Sequence, residues 1–444
     1  MFRSIRKIVP KPLMKLYHAL LAILAALIYL FPSRNIIVIG VTGTNGKTTT
    51  TNMIARILEE AGYKVGLMTT ANFKIKDREW VNKTKQTMQG RFKLQRFLKK
   101  MVKAGCDYAV IETSSEGIAQ YRHLGINYDI AVLTNLTPEH IESHGSFKKY
   151  KEAKGKLFKK LLTANYKTQN GNKVDKVSVV NLDSTHAQYF LEFFAEKKYG
   201  FGKFVSKNVK EIFKSVDDFF LFGEEKLDNC GSKFMYKGIE FRLNILGLFN
   251  IYNAAAAACV GLSQGIKPEI IKNALQKIEN ISGRMEIINE GQDFSLIVDY
   301  AHEPAALKNV YEALKPLTTG KIISVLGSCG GGRDKNRRPK LGKLAAKYAD
   351  IVIVTNEDPY DEEPQGIIDQ VAEGAILQGK ILTENLFKIN DRREAIKLAI
   401  EKSSVGDVVI ITGKGSEQCI VVHGGKKIEW DDRKVSRELL KDKI

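Results

Sequence analysis

Short apolar runs alternate with longer mixed stretches from Asn35 to Leu136. The runs "NIIVIGV" (35–41), "KVGLMTT" (64–70), "YAVIET" (108–113) and "IAVLTNL" (130–136) are apolar nearly throughout, as strands covered on both faces are. Lys47 to Ala61 and Phe92 to Ala104, lying between them, read as helices. This alternation predicts a parallel sheet with helices on both faces. From about Lys167 to Arg242 the pattern is choppier, with Gly and Asn turns between short alternating runs, and reads as a β-rich excursion. "NAAAAACVGL" then begins a helix near Asn253. A second series follows "ISGRMEII", with "FSLIVDY", "KIISVLG", "DIVIVTN" and "DVVIITG" as four apolar runs separated by helical stretches, the pattern of a small Rossmann-like domain. The expected fold class is α/β. A segment 1–34 would precede a phosphate-loop domain (35–282) and a smaller Rossmann-like domain (283–444), with the linker near Ile281 to Gly283.

The first segment has its own character. "KLYHALLAILAALIYLF" (15–31) is almost unbroken apolar sequence, preceded by Arg3, Arg6, Lys7 and Lys11 without an acid. A signal peptide shares that order, but "FPSRN" replaces the small-residue cleavage site. A membrane span needs about 20 apolar residues, and basic flanks kept in the cytoplasm would send the rest of the chain outside, away from ATP. Two readings remain: an apolar helix lying in the membrane interface, and one packed against the protein.

Totals narrow the picture further. At 444 residues the chain expects two or three domains, and 44% hydrophobic with 27% charged residues excludes a disordered class. The formal charge of +19 asks for anionic partners, yet the basic residues are scattered and no nucleic-acid-binding motif is present, so nucleic acid is not expected. Five cysteines without a CxxC pair fit a reducing compartment and free thiols.

The chemistry starts at "GVTGTNGKTTT" (40–50). A glycine-rich turn between a strand and a helix points backbone N–H groups at an anion; Lys47 can bridge the β and γ phosphates of ATP and the Thr48 hydroxyl can ligate magnesium. Val41 stands where the strict phosphate-loop pattern has glycine.

Further motifs follow in order: "TNLTPEHIESHGSFKKYKEAK" (134–154), "LGLFNIYNAAAA" (246–257), "SGRME", "VDYAHEP" (298–304), "GGRDKNRRP" (331–339) and "GKGSE" (413–417). Together with the loop they resemble the Mur ligases, the MurE type above all, from about Asn35 to the C-terminus. The resemblance implies an ATP-dependent amide ligase of peptidoglycan precursor synthesis, cytoplasmic and monomeric. A carboxylate of a muramoyl-peptide precursor would attack the γ-phosphate, and the amine of a free amino acid would displace phosphate from the acyl phosphate. Two magnesium sites are implied, one at Thr48 and Glu112, the other at His140 and Lys154 carried as a carbamate. Gly43, Thr44, Asn45, Gly46, Lys47, Thr48 and Thr49 would hold the phosphates. Asn250, Asn253, Arg284, Asp299 and His302 would lie near the rest of the nucleotide. Thr87, Ser114, Ser115, Arg333, Arg338, Gly413 and Glu417 would meet the substrates, with Glu417 on the ammonium of the amino acid and the two arginines in the loop for its carboxylate. On composition alone Lys154 would be an ordinary solvated lysine, and Asp299 and His302 would be strand-end residues.

Three departures from the family pattern matter. Only about 40 residues precede the loop, which leaves the UDP group without an obvious home: either another protein supplies it, or the precursor is held differently, for example by a lipid tail near the apolar helix. "EDPY" (357–360) stands where the family's "DNPR" or "DNPA" reads the amino acid. Tyr360 cannot pair with a second carboxylate, and Glu357 and Asp358 either suit a side chain with a free amine, such as lysine or ornithine, or cap a helix. "SSEG" and "GKGSE" each lack a family histidine. Rival readings are a ligase or amidation subunit acting on a lipid-linked or non-murein carboxylate, a folylpolyglutamate synthetase, and a membrane-associated ATP-binding scaffold without chemistry. The first of these normally carries a four-cysteine zinc site, which this sequence lacks.

Overall fold

In the computed structural model the described residues are 10–139, 144–203, 213–228 and 231–443. His140 therefore lies outside the described residues. The chain divides into two compact units. The first holds Met1–Glu224, Phe234–Phe241 and Ile251–Lys277, and the second Glu225–Lys233, Arg242–Asn250 and Ile278–Ile444.

The first unit opens with α1 (Lys11–Ile28). Then come β1 (Ile37–Thr42), α2 (Lys47–Glu60), β2 (Val65–Met68), β3 (Asn72–Ile75), β4 (Arg78–Val81), α3 (Arg91–Lys103) and β5 (Tyr108–Glu112). Next are α4 (Ser115–Ala119), β6 (Ile130–Leu133), α5 (Phe147–Leu162) and a small hairpin, β7 (Thr168–Gln169) with β8 (Asn172–Lys173). The chain continues through β9 (Val177–Asn181), α6 (Ala187–Leu191), β10 (Lys197–Lys203), β11 (Asp218–Asp228), β12 (Gly231–Tyr236), β13 (Ile239–Leu243), α7 (Leu248–Ser263) and α8 (Pro268–Gln276).

One sheet runs in the order β13-β12-β11-β10-β9-β6-β1-β5-β2-β3-β4. β1 lies well inside it and is buried along its length, parallel to β5 on one side and β6 on the other. The region read as a β-rich excursion is β-rich and extends this sheet: β9 pairs in parallel with β6, and β10 with β9 and β11. Its turns separate strands but do not separate it from the core. The expected helices at 47–61 and 92–104 are α2 and α3, while α7 starts at Leu248, ahead of its alanine run.

The second unit has β14 (Glu286–Ile288), β15 (Ser295–Val298), α9 (Pro304–Leu314), β16 (Ile322–Leu326), α10 (Arg337–Tyr348), β17 (Ile351–Thr355) and α11 (Pro364–Ile376). It closes with β18 (Leu386–Ile389), α12 (Arg392–Glu401), β19 (Val408–Ile411), β20 (Cys419–Val421), β21 (Lys427–Glu429) and α13 (Asp432–Lys443). Its main sheet runs β14-β15-β19-β16-β17-β18, parallel except for the β14 edge. The four expected runs are β15, β16, β17 and β19; the short edges β14 and β18 carry no comparable apolar run.

The helix α1 packs with its small face inward: Ala22, Ala25 and Ala26 are buried. Gly125 approaches so closely that a Cβ there would come within 2.5 Å of the Ala26 Cβ. Among the described residues no helix is long and apolar enough to cross a membrane.

Candidate functional site

The turn after β1 is shaped by two glycines that no other residue could replace without strain. Gly43 has φ +157° and a Cβ there would sit 1.9 Å from Thr134 Oγ1; Gly46 has φ +80° and a Cβ would sit 2.1 Å from Asn253 Oδ1. Asn253, at the same time, accepts a 3.3 Å hydrogen bond from Thr50 Oγ1. The loop is held from outside by Asn135, whose Oδ1 accepts from the Asn45 amide at 2.9 Å, and by Tyr150, which donates to Thr44 Oγ1 at 3.1 Å. Lys47 begins α2 and donates to the Thr44 carbonyl at 2.7 Å. Thr49 is buried in the first turn of the same helix.

Glu112, at the end of β5, is 2% exposed, and its Oε2 accepts from Thr48 Oγ1 at 2.9 Å, from the Thr70 amide at 2.7 Å and from Thr70 Oγ1 at 3.0 Å. All three donors are neutral: two hydroxyls and one backbone amide. A hard divalent ion suits that set of oxygens, and magnesium fits here through Thr48 and Glu112. Thr70 continues to Thr87 Oγ1 at 2.9 Å, which brings the predicted Thr87 next to the cluster. Thr70 itself escaped the sequence reading; its only signal is its place at the end of the second apolar run.

Lys154 is on α5, 1% exposed, with Nζ donating to the Gly43 carbonyl at 2.6 Å and 4.4 Å from the centre of the Tyr150 ring. Burial, helped by Lys47, holds its amine well below the ordinary lysine range, against the opposing pull of Glu139. Glu139 also accepts from Asn45 Nδ2 at 3.3 Å. The reading of Lys154 as a solvated lysine is thus excluded. Ser114 caps α4 by accepting from the Gly117 amide, and Ser115 Oγ meets His144 Nε2 at 3.2 Å. Among the described residues no group of three or more His, Cys, Asp or Glu is placed to hold a metal ion.

The second unit gathers the other predicted residues in two places. Asp299, buried, accepts from the Met285 amide at 2.8 Å and the Ala301 amide at 2.7 Å. Burial raises its pKa, with Arg284 opposing. Arg284 lies over the Tyr300 ring at 4.3 Å, and His302 Nδ1 meets the Tyr300 carbonyl at 2.9 Å. Asn250 Nδ2 donates to the Leu246 carbonyl at 2.7 Å.

The second place surrounds Lys414, which the sequence reading passed over although it stands between two glycines of "GKGSE". Its Nζ, fully buried, is 2.8 Å from Asp358 and 2.7 Å from Glu417, and these carboxylates hold it well above the ordinary lysine range despite burial. Asp358 also accepts from the Val421 amide at 2.8 Å. Glu357 is buried, accepts from Cys329 Sγ at 2.8 Å on Oε1, and has no partner on Oε2 among the described residues. Burial pushes its carboxyl up. A Cβ at Gly413, where φ is +105°, would come within 2.6 Å of that oxygen. Neither acid caps a helix, since α11 begins at Pro364. Tyr360 has φ +54°, and burial, with Asp358 nearby, pushes its phenol up to about 12.

Arg333 is partly exposed, whereas Arg338 is 1% exposed and donates to Glu362 at 3.0 Å, Gln370 at 2.9 Å and the Cys329 carbonyl at 3.2 Å. Arg338 braces the loop it follows. Arg392, which no motif marked, does so more widely: it pairs bidentately with Asp432 and donates to the carbonyls of Asn356 and Thr412, the residues leading into both site loops.

A strand–loop–helix phosphate cradle in one unit and a Rossmann-like unit with a buried acid–lysine cluster define the class: a nucleotide-driven ligase. Comparison with known proteins gives the family. Residues 41–261 match the Mur ligase middle domain and 283–415 the Mur ligase glutamate ligase domain. A UDP-N-acetylmuramyl-tripeptide synthetase of Roseiflexus sp. (strain RS-1) is 37% identical over 97% of this chain and 84% of its own length. A UDP-N-acetylmuramoyl-L-alanyl-D-glutamate--2,6-diaminopimelate ligase of Syntrophomonas wolfei is 37% identical over 96% and 82%. A solved structure of another such diaminopimelate ligase superposes with a TM-score of 0.59 at 28% identity, covering 92% of this chain and 79% of that one. The folylpolyglutamate synthase of Mycobacterium tuberculosis shares the fold at a TM-score of 0.64 and 16% identity. The chain belongs to the Mur ligase family, whose members are ATP-dependent ligases of peptidoglycan precursor synthesis.

Proposed function

We propose that this protein joins an amino acid to the carboxylate of a muramoyl-peptide precursor, driven by ATP, and that the amino acid carries a second amine. The observation that carries the reading is the phosphate loop with the buried Glu112 hydrogen-bonded to Thr48 beside it. The backbone of Gly43 to Lys47 would cradle the phosphates, and Lys47 would neutralise charge as the precursor carboxylate approaches. Magnesium bound at Thr48 and Glu112 would screen the γ-phosphate and draw charge from the breaking bond. A carboxylate oxygen attacks the γ-phosphorus and ADP leaves. The amine nitrogen then attacks the acyl carbon, phosphate leaves, and the nitrogen gives up its proton to complete the amide.

Lys154 enters the same reading as a carbamate. An amine held below its ordinary range is partly neutral, which is the form that adds to carbon dioxide: the N–C bond forms and one proton leaves. The product is an anion able, together with His140, to hold a second cation. Asn253 at the loop, and Asn250, Arg284, Asp299 and His302 in the second unit, would contact the nucleoside. Thr87, Ser114 and Ser115 would contact the precursor.

For the amino acid, Glu417 would hold the α-ammonium and Arg333 the α-carboxylate, with Arg338 in support. Glu357 Oε2, buried and without a hydrogen-bond partner among the described residues, is the acceptor for a side-chain amine, which favours lysine or ornithine over a side chain ending in a carboxylate. Asp358, whose Oδ1 accepts from both Lys414 and the Val421 amide, braces the site. The reading includes action as a monomer in the cytoplasm, where ATP is, with α1 touching the inner face of the membrane.

The test is ADP release from ATP, magnesium and UDP-muramoyl dipeptide across a panel of amino acids. Lysine or ornithine should give the highest rate and meso-diaminopimelate at most about a tenth of it, roughly the 1.4 kcal/mol of one unmet charge contact. Glu357→Gln should raise KM for the preferred amino acid while leaving KM for ATP unchanged. A diaminopimelate preference would sink the amino-acid assignment, and ADP release indifferent to every amino acid would sink the ligase reading.

A further inference from the structure

The helix α1 is built inside out. Its buried side is alanine, and its large side chains face away from the protein: Leu16, Leu20, Ile23, Leu24, Leu27 and Ile28 are each 46–58% exposed. Their spacing of three and four residues lines them along one helix face. An exposed apolar stripe of this length is an interaction surface, since isolated soluble domains rarely leave contiguous apolar area of this kind uncovered.

What flanks the stripe tells what covers it. On one side α1 is tied to α3, where Arg91 Nε donates to the His18 carbonyl at 3.0 Å. α3, "RFKLQRFLKKMVK", has six cations and no acid, and Lys93, Arg96, Lys100 and Lys103 are exposed, as is Phe92 beside them. Gln95 of α3 donates to the Gly125 carbonyl at 3.2 Å, in the loop that touches Ala26. From that loop Tyr121 reaches Lys156 of α5, whose Nζ is 5.6 Å from the ring centre. The sequence has no acid before Glu59. An apolar ridge with cations beside it and no acid on the ridge matches a surface that is apolar within and anionic above, which describes a bilayer of acidic lipid.

We propose that α1 and α3 form a composite docking surface for an anionic membrane, with the α1 leucines entering the acyl boundary and the α3 cations meeting lipid phosphates. The inference deepens the membrane contact proposed above. A second copy of the chain fits less well, because an isologous contact through this face would bring the two sets of α3 cations toward each other.

The experiment is vesicle sedimentation of the full-length protein at 0.1 M salt, with phosphatidylglycerol–phosphatidylcholine vesicles against pure phosphatidylcholine, and ligase activity on a soluble precursor measured alongside. The expected result is at least tenfold tighter binding to the acidic vesicles, weakening with added salt. Leu20→Glu with Leu24→Glu should abolish binding, and each of Lys93→Gln, Arg96→Gln and Lys100→Gln should weaken it roughly fivefold. Ligase activity should survive in all of them, because none lies in the phosphate or amino-acid sites. Wild-type protein that stays in the supernatant, or binds both vesicles equally, overturns the proposal while leaving the ligase reading intact. So does a stable dimer that the double glutamate variant dissolves.

Discussion

Lys154 shows how far a residue's chemistry depends on where the fold puts it. As a sequence letter in "YKEAKGK" it is one of many helix lysines; in the structure it is sealed behind the phosphate loop with a carbonyl and an aromatic face for company. Burial of a lysine amine against a carbonyl and an aromatic ring costs stability, so Lys154→Met should leave the thermal midpoint unchanged or raise it while abolishing turnover, as melting curves and ADP assays on one preparation would reveal. The pH dependence follows from the depressed amine. Between its lowered folded pKa and the ordinary 10.5 the unfolded chain binds a proton that the folded one lacks, so stability rises with pH across that window, and Lys154→Met should flatten the slope. Thr48→Ala should cost about 1 kcal/mol in denaturant unfolding for the lost Glu112 hydrogen bond, and far more in magnesium-dependent turnover, on the order of a hundredfold. The loop residues and Glu112 were legible in sequence because glycine spacing and a strand end leave marks. Thr70 and Lys414 were not, because what makes each matter is a carboxylate supplied from far along the chain.

Among the elements, the strands of the first apolar series and most helices follow from the alternation of apolar runs, and residues 167–242 show where that reading stops. Residues 167–242 read as β-rich, as they are, but their short, turn-rich runs gave no pairing partners; β9 and β10 are parallel members of the central sheet. Pairing partners are set by topology, which periodicity alone does not encode. The α2 N-terminus can be tested at Gly46. Alanine there would meet Asn253 Oδ1 at 2.1 Å in a left-handed conformation, and should cost roughly 1–2 kcal/mol in denaturant unfolding together with most nucleotide affinity. In the second unit, Arg392→Ala strands Asp432 as a buried charge and should destabilise the protein by about 3–5 kcal/mol, whereas Arg393→Ala, at an exposed pair, should cost under about 1 kcal/mol. Urea melts of the two variants make the comparison directly.

For the whole molecule, the proposals give part of the net charge of +19 a role: Lys47 would face phosphate at the loop, and the α3 cations would face lipid beside the apolar helix. ATP with magnesium at a hundredfold excess over its dissociation constant should stabilise the protein by about 2.7 kcal/mol, a gain that Lys47→Ala should remove in a thermal-shift titration. The central claim is that the energy of the phosphate loop is used to make an amide. The most direct measurement is the mass of the product after incubating the protein with ATP, magnesium, UDP-muramoyl dipeptide and lysine or ornithine. The account predicts a precursor heavier by one amino acid less one water, formed mole for mole with ADP and phosphate. An unchanged precursor in the presence of released ADP, or AMP and pyrophosphate in place of ADP, would contradict it.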